Sequence, residues 1–408
     1  MNLSLGNEIL VWAFVLAFVI GAIASRSNFC TMGAVSDWVN MGDKNRLRSW
    51  FLAIAVAIAG VAWMEYAGLV DMSLTTNNAT SNPPYRVSTV VWLRYIVGGI
   101  LFGIGMTFGS GCGNKTLVRL GGGNGKSLVL LVFIGIAASV MMFTSFDHVV
   151  FLQWMTPLAT DLSLHEIPGQ SLGQIAAGLS GSDAADIMNP LLGAIIALLI
   201  AVWVFKSADF RSSYDLIAAG ILIGGAIAVA WYITAGATGQ SYLEELEFAE
   251  VRPYAVGAQS YTFIAPPAHA WQYIEQGFNK NFLSFALVGA IGVLLGAFAY
   301  SVLSRNFRFE WFSSMKDFIT HVIGGLLMGT GGVLGMGCTI GQGITGTSTL
   351  AVGSFVTLVS IIFGSALTMK IQYYKLVYED EASFGKALVT SLVDMKLLPG
   401  GMRKLDAV

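Results

Sequence analysis

The 408-residue sequence has few charges: only 11% of its residues are Asp, Glu, Lys or Arg, less than half of the roughly 25% that is usual in soluble domains. Hydrophobic residues make up 55% of the chain, and the mean hydropathy is +0.69. One globular core cannot bury this much apolar surface. The composition therefore excludes an ordinary soluble domain and predicts an all-α protein that crosses a membrane several times.

Cysteine is also scarce, and the three residues Cys30, Cys112 and Cys338 include no Cys-x-x-Cys pair. This pattern argues against a disulfide framework and against a zinc site, and we expect neither a metal nor a cofactor. The net charge is −2 and no basic patch or tail is present, which argues against a nucleic-acid partner. No basic segment precedes the first apolar stretch, so we interpret that stretch as a retained helix and not a signal peptide.

Nine apolar segments approach or exceed the roughly 20 residues that cross a bilayer. Lys and Arg are concentrated in the loops after the first, third, fifth, seventh and ninth segments, whereas residues 147–189 contain neither. Positive loops stay in the cytoplasm, so we expect a multi-pass inner-membrane protein with its N-terminus outside and its C-terminus in the cytoplasm. The predicted spans are residues 8–24, 49–70, 91–111, 127–146, 190–206, 214–235, 281–303, 317–337 and 349–369.

One segment occurs twice. Gly98–Cys112 reads GGILFGIGMTFGSGC and Gly324–Cys338 reads GGLLMGTGGVLGMGC, which match at 8 of 15 positions. The predicted topology makes the third and eighth spans antiparallel, so spans one to four and six to nine form two inverted repeats. Transporters with inverted repeats bind substrate near midplane, where the repeats meet. A weaker match of Ser27–Trp38 with Ser260–Trp271 pairs Cys30 with Phe263.

This repeat predicts the organisation of the chain. Short re-entrant or interfacial helices are expected beside the nine spans, because glycine-rich breaks follow several of them. We expect one half in residues 1–150, an external loop with a connecting helix in 151–213, the second half in 214–372, and a cytoplasmic tail in 373–408.

The two repeats each end in Gly-x-Gly-Cys. Glycines there loosen the helix end and permit irregular backbone that lines a cavity. A thiol is a weak donor and a polarisable acceptor, so it suits a soft sulfur-containing anion; the alternative role for each cysteine is a small buried hydrophobe. The candidate substrate-binding residues are Cys30, Cys112, Cys338, Gly111, Gly113, Asn114, Gly337, Thr339 and Gln342. The candidate anion-attracting residues are Lys115, Arg119 and Arg26.

Two other charged residues, Glu65 and Arg94, lie near the ends of predicted spans. Long charged side chains at such positions extend toward the membrane surface. We therefore expect both residues to be at the interface and not in the interior.

The chain resembles the YeeE/YedE family of membrane proteins. The resemblance is carried by Asn28-Phe29-Cys30, by Gly109-x-Gly-Cys112, and by Gly335-x-Gly-Cys338-Thr-Ile-Gly341. It implies thiosulfate uptake, or selenium compounds in a subgroup, through an hourglass of two inverted halves with transient S–H···S contacts at the constriction. Two departures are visible: Phe263 stands where some members have a fourth cysteine, and Lys115 replaces the glycine of a CxxG pattern.

We therefore expect a non-enzymatic protein that takes up a sulfur-containing inorganic anion, with thiosulfate as the favoured substrate. Its partners would be that anion, membrane lipid, and a cytoplasmic sulfur-carrier or sulfurtransferase protein. The alternatives are a selenium-compound transporter, or a membrane sulfurtransferase that carries a persulfide on Cys112 or Cys338. A persulfide enzyme needs an activating base or cation near the thiol, and no charged residue adjoins Cys338 in sequence.

Overall fold

The computed structural model describes residues 4–181 and 184–406. Within these ranges nine helices are long and apolar enough to cross a membrane, which confirms the predicted all-α, multi-pass fold. The described residues form one small sheet, in which β1 (Thr89–Val90) pairs antiparallel with β2 (Thr160–Asp161).

The chain contains both long and short helices. The first half contains α1 (Leu5–Ser27), α2 (Thr31–Ser36), α3 (Asn45–Tyr66), α4 (Trp92–Phe108), α5 (Gly113–Gly121) and α6 (Gly125–Phe143). The middle contains α7 (Gln153–Met155), α8 (Leu172–Ser180), α9 (Ala185–Phe205) and α10 (Ala208–Arg211). The second half and the tail contain α11 (Tyr214–Ala235), α12 (Ala237–Glu247), α13 (Ala265–Glu275), α14 (Phe285–Leu303), α15 (Met315–Leu334), α16 (Val352–Val377) and α17 (Phe384–Asp394).

Shorter 3₁₀ and π segments fill the connections. The ninth span, α16, continues to Val377, five residues past the predicted boundary at 372, and α17 of the tail packs against it. The short segments are Asp37–Met41, Met72–Thr76, His148–Leu152, Thr156–Leu158, Leu162–His165, Lys280–Phe282, Gly341–Gly346, Glu379–Glu381 and Gly400–Met402.

The two repeated segments form α4 and α15, which cross at their glycines. A Cβ on Gly98 would lie 2.4 Å from the backbone nitrogen of Gly335, and a Cβ on Gly324 would lie 2.6 Å from that of Gly109. Because Gly98 aligns with Gly324 and Gly109 with Gly335, the same contact is made twice about a pseudo-two-fold axis, as in an isologous interface. The two helices therefore run antiparallel, as the inverted-repeat prediction requires.

The other long helices follow the same symmetry. Helix α4 packs on α16 as α15 packs on α6, and α1 packs on α14 as α11 packs on α3. Glycines again allow the close approach: a Cβ on Gly103 would lie 2.3 Å from the carbonyl oxygen of Ile361, and one on Gly329 2.6 Å from that of Ile134. Each half thus packs mainly against helices of the other half.

The short segments lie between the halves. Helix α5 contacts α14 and α13 contacts α6, while α2 contacts α16 and the Gly341–Gly346 segment contacts α3. Four short segments, two from each half, are therefore held against the opposite half. Cys30 and Cys112 directly precede two of them, and Cys338 lies three residues before Gly341–Gly346.

Candidate functional site

All three cysteines are buried, with exposed fractions of 6% for Cys30, 1% for Cys112 and 0% for Cys338. The amide of Gly33 donates to Cys30 Sγ at 3.4 Å, and the amide of Gly341 donates to Cys338 Sγ at 3.3 Å. In both cases the donor lies three residues after the thiol, as at a helix N-cap. The helix termini therefore fix the positions of these sulfur atoms.

The cysteines form a continuous row. The side chain of Cys30 lies close to that of Cys112, and the side chain of Cys112 lies close to that of Thr339. Thr339 follows Cys338 directly, so Cys112 lies near Cys338 although 226 positions separate the two cysteines in the sequence. The side chain of Thr262, which also belongs to the second half, lies close to Cys338.

Equivalent backbone breaks produce this arrangement. Helices α4 and α15 end at Gly109 and Gly335, and the next residues, Ser110 and Met336, adopt left-handed conformations with φ of 57° and 61°. The chain then turns and begins a new short helix after each cysteine. Helix N-termini present free N–H groups and partial positive charge, so the interface between the halves is suited to an anion.

Several predicted site residues are buried polar groups without a hydrogen-bond partner in the described part of the chain. They are both amide atoms of Asn114, the hydroxyl of Thr339 and Oε1 of Gln342, whose Nε2 donates to the Gly335 carbonyl at 2.7 Å. Buried polar groups in native proteins are nearly always paired. These atoms belong to residues close to Cys112 and Cys338 in the sequence. The predicted glycines adjoin the cysteines, and a Cβ on Gly113 would lie 2.6 Å from the Phe263 carbonyl oxygen.

A cavity of about 570 Å³ reaches Cys30 from one side of the helix bundle; we call it the basic-side cavity. Lys115 lines it and donates to Asn28 Oδ1 at 3.1 Å, and Arg119 lines it and donates to the Ser110 carbonyl at 2.7 Å. Two more arginines and one carboxylate complete its charged lining, namely Arg46, Arg308 and Glu310. The excess of cations gives this cavity a potential that attracts anions.

A second cavity of about 310 Å³, the opposite-side cavity, is lined by Thr262 and Gly337. It also contacts Arg94 near the start of α4, whereas the basic-side cavity contacts Ser110 just after the end of α4. The two cavities therefore lie at opposite ends of the same transmembrane helix. Cys112 and Cys338 lie between them, and neither residue lines either of these two cavities.

The structure places Arg26 elsewhere. Its guanidinium pairs with Asp215 at 2.8 Å on an exposed surface, and it does not line the basic-side cavity. Glu65, one residue before the end of α3, forms a two-point ion pair with the buried Arg86, at 2.6 and 3.0 Å. Arg86 also donates to the Thr349 carbonyl at 2.9 Å, which anchors the segment that follows Cys338.

Sequence reasoning missed Arg86 and His269, which lines the opposite-side cavity. A signal for Arg86 existed: it is an isolated arginine in a loop that the positive-inside rule expects to be poor in basic residues. No comparable signal marks His269. Among the described residues, no group of three or more His, Cys, Asp or Glu could hold a metal ion.

The fold and the site together define a class: a multi-pass membrane protein of two inverted halves, with a row of buried thiols between cavities on opposite sides. The sequence model described as Sulphur transport matches residues 26–367, and the chain belongs to this family.

Two relatives align with this chain over nearly their whole length. The chain is similar to the thiosulfate transporter TsuA of Spirochaeta thermophila, with 24% identity over 365 residues that cover 87% of this chain and 97% of the relative. It is also similar to the thiosulfate transporter TsuA of Escherichia coli strain K12, with 23% identity over 369 residues that cover 85% of this chain and 90% of the relative.

Proposed function

We propose that this protein carries thiosulfate into the cell, passing it along the row formed by Cys338, Cys112 and Cys30. The observation that carries the proposal is the row itself: three buried, unpaired thiols between two cavities at opposite ends of α4. The names of the two relatives support thiosulfate as the substrate.

The chemistry of the row matches the two ends of thiosulfate. Its terminal sulfur is soft and accepts weak S–H hydrogen bonds, while its negative charge is favoured by the N-termini of the short helices. The unpaired groups of Asn114, Thr339 and Gln342 supply further polar contacts. Each contact is weak, so the ion passes from one thiol to the next without being trapped.

The basic side is the cytoplasmic side in this proposal, and the membrane is the inner membrane. The concentration of Lys and Arg in the loops on that side supports this orientation. Helix α17 and the C-terminus then lie in the cytoplasm, where a sulfur-carrier or sulfurtransferase protein would receive the substrate. A C-terminal reporter that is active only outside the cytoplasm would reverse the assignment.

The decisive experiment is uptake of radiolabelled thiosulfate by the purified protein in proteoliposomes. We expect saturable uptake into otherwise empty vesicles, with competition by selenium analogues and by other sulfur anions ranking the substrates. Protein-free vesicles are the control. The alternative sulfurtransferase activity predicts instead a covalent persulfide on a cysteine and no accumulation inside the vesicles. Absence of uptake would therefore reject the transport proposal.

A further inference from the structure

The opposite-side cavity contains a buried histidine whose second ring nitrogen has no partner. His269 is 1% exposed, and its Nδ1 lies 2.7 Å from the hydroxyl of Ser284. Its Nε2 is buried without a hydrogen-bond partner in the described part of the chain, and the residue lines the cavity. A buried unpaired group of this kind needs an explanation.

The surroundings of His269 define its protonation. The Ser284 hydroxyl already accepts a hydrogen bond from the amide of Leu287 at 3.2 Å, and among the described residues its own proton has no acceptor other than His269 Nδ1. With Ser284 donating to Nδ1, the neutral imidazole carries its proton on Nε2. Burial lowers the pKa of His269 to about 4, which keeps the ring neutral at physiological pH. The unpaired Nε2 is then a hydrogen-bond donor.

The same cavity contains a cation. Arg94 lines it, and its Nε donates to the Leu334 carbonyl at 2.9 Å. No carboxylate among the described residues forms an ion pair with Arg94; Asp147 lies within electrostatic range but does not line the cavity. The remaining guanidinium N–H groups are therefore available to an anion, and guanidinium N–H groups match the oxygens of oxyanions well.

We propose that the opposite-side cavity is a separate binding site for the oxygen atoms of a tetrahedral sulfur oxyanion, held by Arg94 and His269 Nε2–H before the ion reaches the cysteines. The proposal rests on the proposed uptake function and assigns this site to the external end of the path. It divides recognition in two. The N–H donors of Arg94 and His269 bind oxygen atoms and therefore do not distinguish sulfate from thiosulfate. The thiols then favour the ion that has a soft terminal sulfur.

This division predicts that sulfate binds outside but is not transported. Sulfate has the oxygens that Arg94 and His269 recognise, and lacks the soft sulfur that the row favours. We expect external sulfate to inhibit thiosulfate uptake competitively without accumulating in the vesicles, and to bind the purified Cys112→Ala protein as it binds the unmutated protein. Neither of these proteins carries a substitution in the opposite-side cavity, so the two measurements do not require a cavity variant to fold.

Variants of the cavity test the two residues. His269→Phe and Arg94→Gln should each weaken sulfate binding, measured by calorimetry, and raise the KM for thiosulfate about tenfold, which corresponds to about 1.4 kcal/mol, while kcat changes little. His269→Gln keeps a neutral N–H donor and should stay close to the unmutated protein. The matched controls are Arg305→Gln and His165→Phe, which change exposed residues outside the cavity lining.

The outcomes separate this proposal from the proposed function. Failure of sulfate to bind the unmutated protein, or equal binding by the His269→Phe, Arg94→Gln and control proteins, overturns the oxyanion site even if thiosulfate is transported. Sulfate binding that depends on both residues, in a protein that does not transport thiosulfate, supports the site and rejects the uptake function. Because His269 and Arg94 are tested separately, misfolding of one variant leaves the other, and sulfate competition, to decide.

Discussion

The two halves of the protein share a backbone plan but differ in the groups that they bring to the centre. Both end a glycine-rich helix at a left-handed residue and then place a cysteine before a short segment. The first half adds Cys30 and a lysine three residues after Cys112, whereas the second half has Phe263 in the aligned position and Gly341 in place of Lys115. Only the first half therefore contributes two thiols and a nearby cation.

This difference gives a symmetric scaffold a direction. Cys30 and three cations of the first half, Arg46, Lys115 and Arg119, line the basic-side cavity, whereas Thr262 lines the opposite-side cavity. An anion that moves along the row meets increasing positive charge toward one end. Backbone symmetry accounts for where the site lies, and the asymmetric side chains account for what each end of it can bind.

The largest effect is expected from removal of either of the two cysteines that occupy equivalent positions in the repeats. Cys112→Ala and Cys338→Ala should each nearly abolish thiosulfate uptake while leaving the protein folded, because each removes one step of the row. A purely packing role predicts a cost of only about 1 kcal/mol in stability and normal uptake. Uptake in proteoliposomes and elution in size-exclusion chromatography measure the two effects.

Serine variants distinguish the thiol relay from a persulfide enzyme. Serine keeps a hydrogen-bond donor but loses polarisability, so Cys112→Ser and Cys338→Ser should retain partial uptake, whereas a persulfide enzyme would lose all activity. Cys30→Ala should have a smaller effect, since Cys30 already lines the basic-side cavity and has no thiol counterpart. Full uptake by a Cys112→Ala/Cys338→Ala double variant would contradict the relay.

The second test changes the two equivalent glycines at which α4 and α15 cross. Gly98→Ala and Gly324→Ala each place a Cβ within 2.4 or 2.6 Å of a facing backbone nitrogen, which forces α4 and α15 apart. We expect each to destabilise the protein by about 1–3 kcal/mol, as overpacking does, and by similar amounts because the contacts are equivalent. Thermal unfolding in detergent measures the change.

A matched control exists on another long helix. A Cβ on Gly225 would meet no atom within 4 Å, so Gly225→Ala should be neutral or slightly stabilising, given the better helix propensity of alanine. If Gly98→Ala and Gly324→Ala behave like Gly225→Ala, the helices do not cross at these glycines.

The sequence was sufficient to predict the nine spans, because hydropathy and helix length are local properties that the bilayer enforces. The antiparallel crossing of α4 and α15 followed from an internal repeat and the distribution of charge. The pairing of Arg26 with Asp215, 189 positions away, was not predictable, because nothing local distinguishes a surface ion pair from a cavity cation. The cavity that joins Arg94 to His269 depends on packing between segments far apart in the chain.

The smallest expected effect concerns the charge that distinguishes the halves. Lys115 lines the basic-side cavity and aligns with Gly341 in the second half. Lys115→Gln should therefore reduce the difference in positive charge between the two ends of the row. Glutamine can still donate a hydrogen bond to Asn28. We expect uptake at low thiosulfate concentration to fall about threefold to fivefold, or about 1 kcal/mol, because one screened charge at this range contributes little more. The loss should shrink in high salt, since ions screen the cavity potential.

Initial uptake rates at two ionic strengths measure this salt dependence, with the exposed Lys206→Gln as control. A loss as large as that of Cys112→Ala would instead assign Lys115 a direct role at the thiols, and an equal loss at both ionic strengths would exclude electrostatic attraction as its cause.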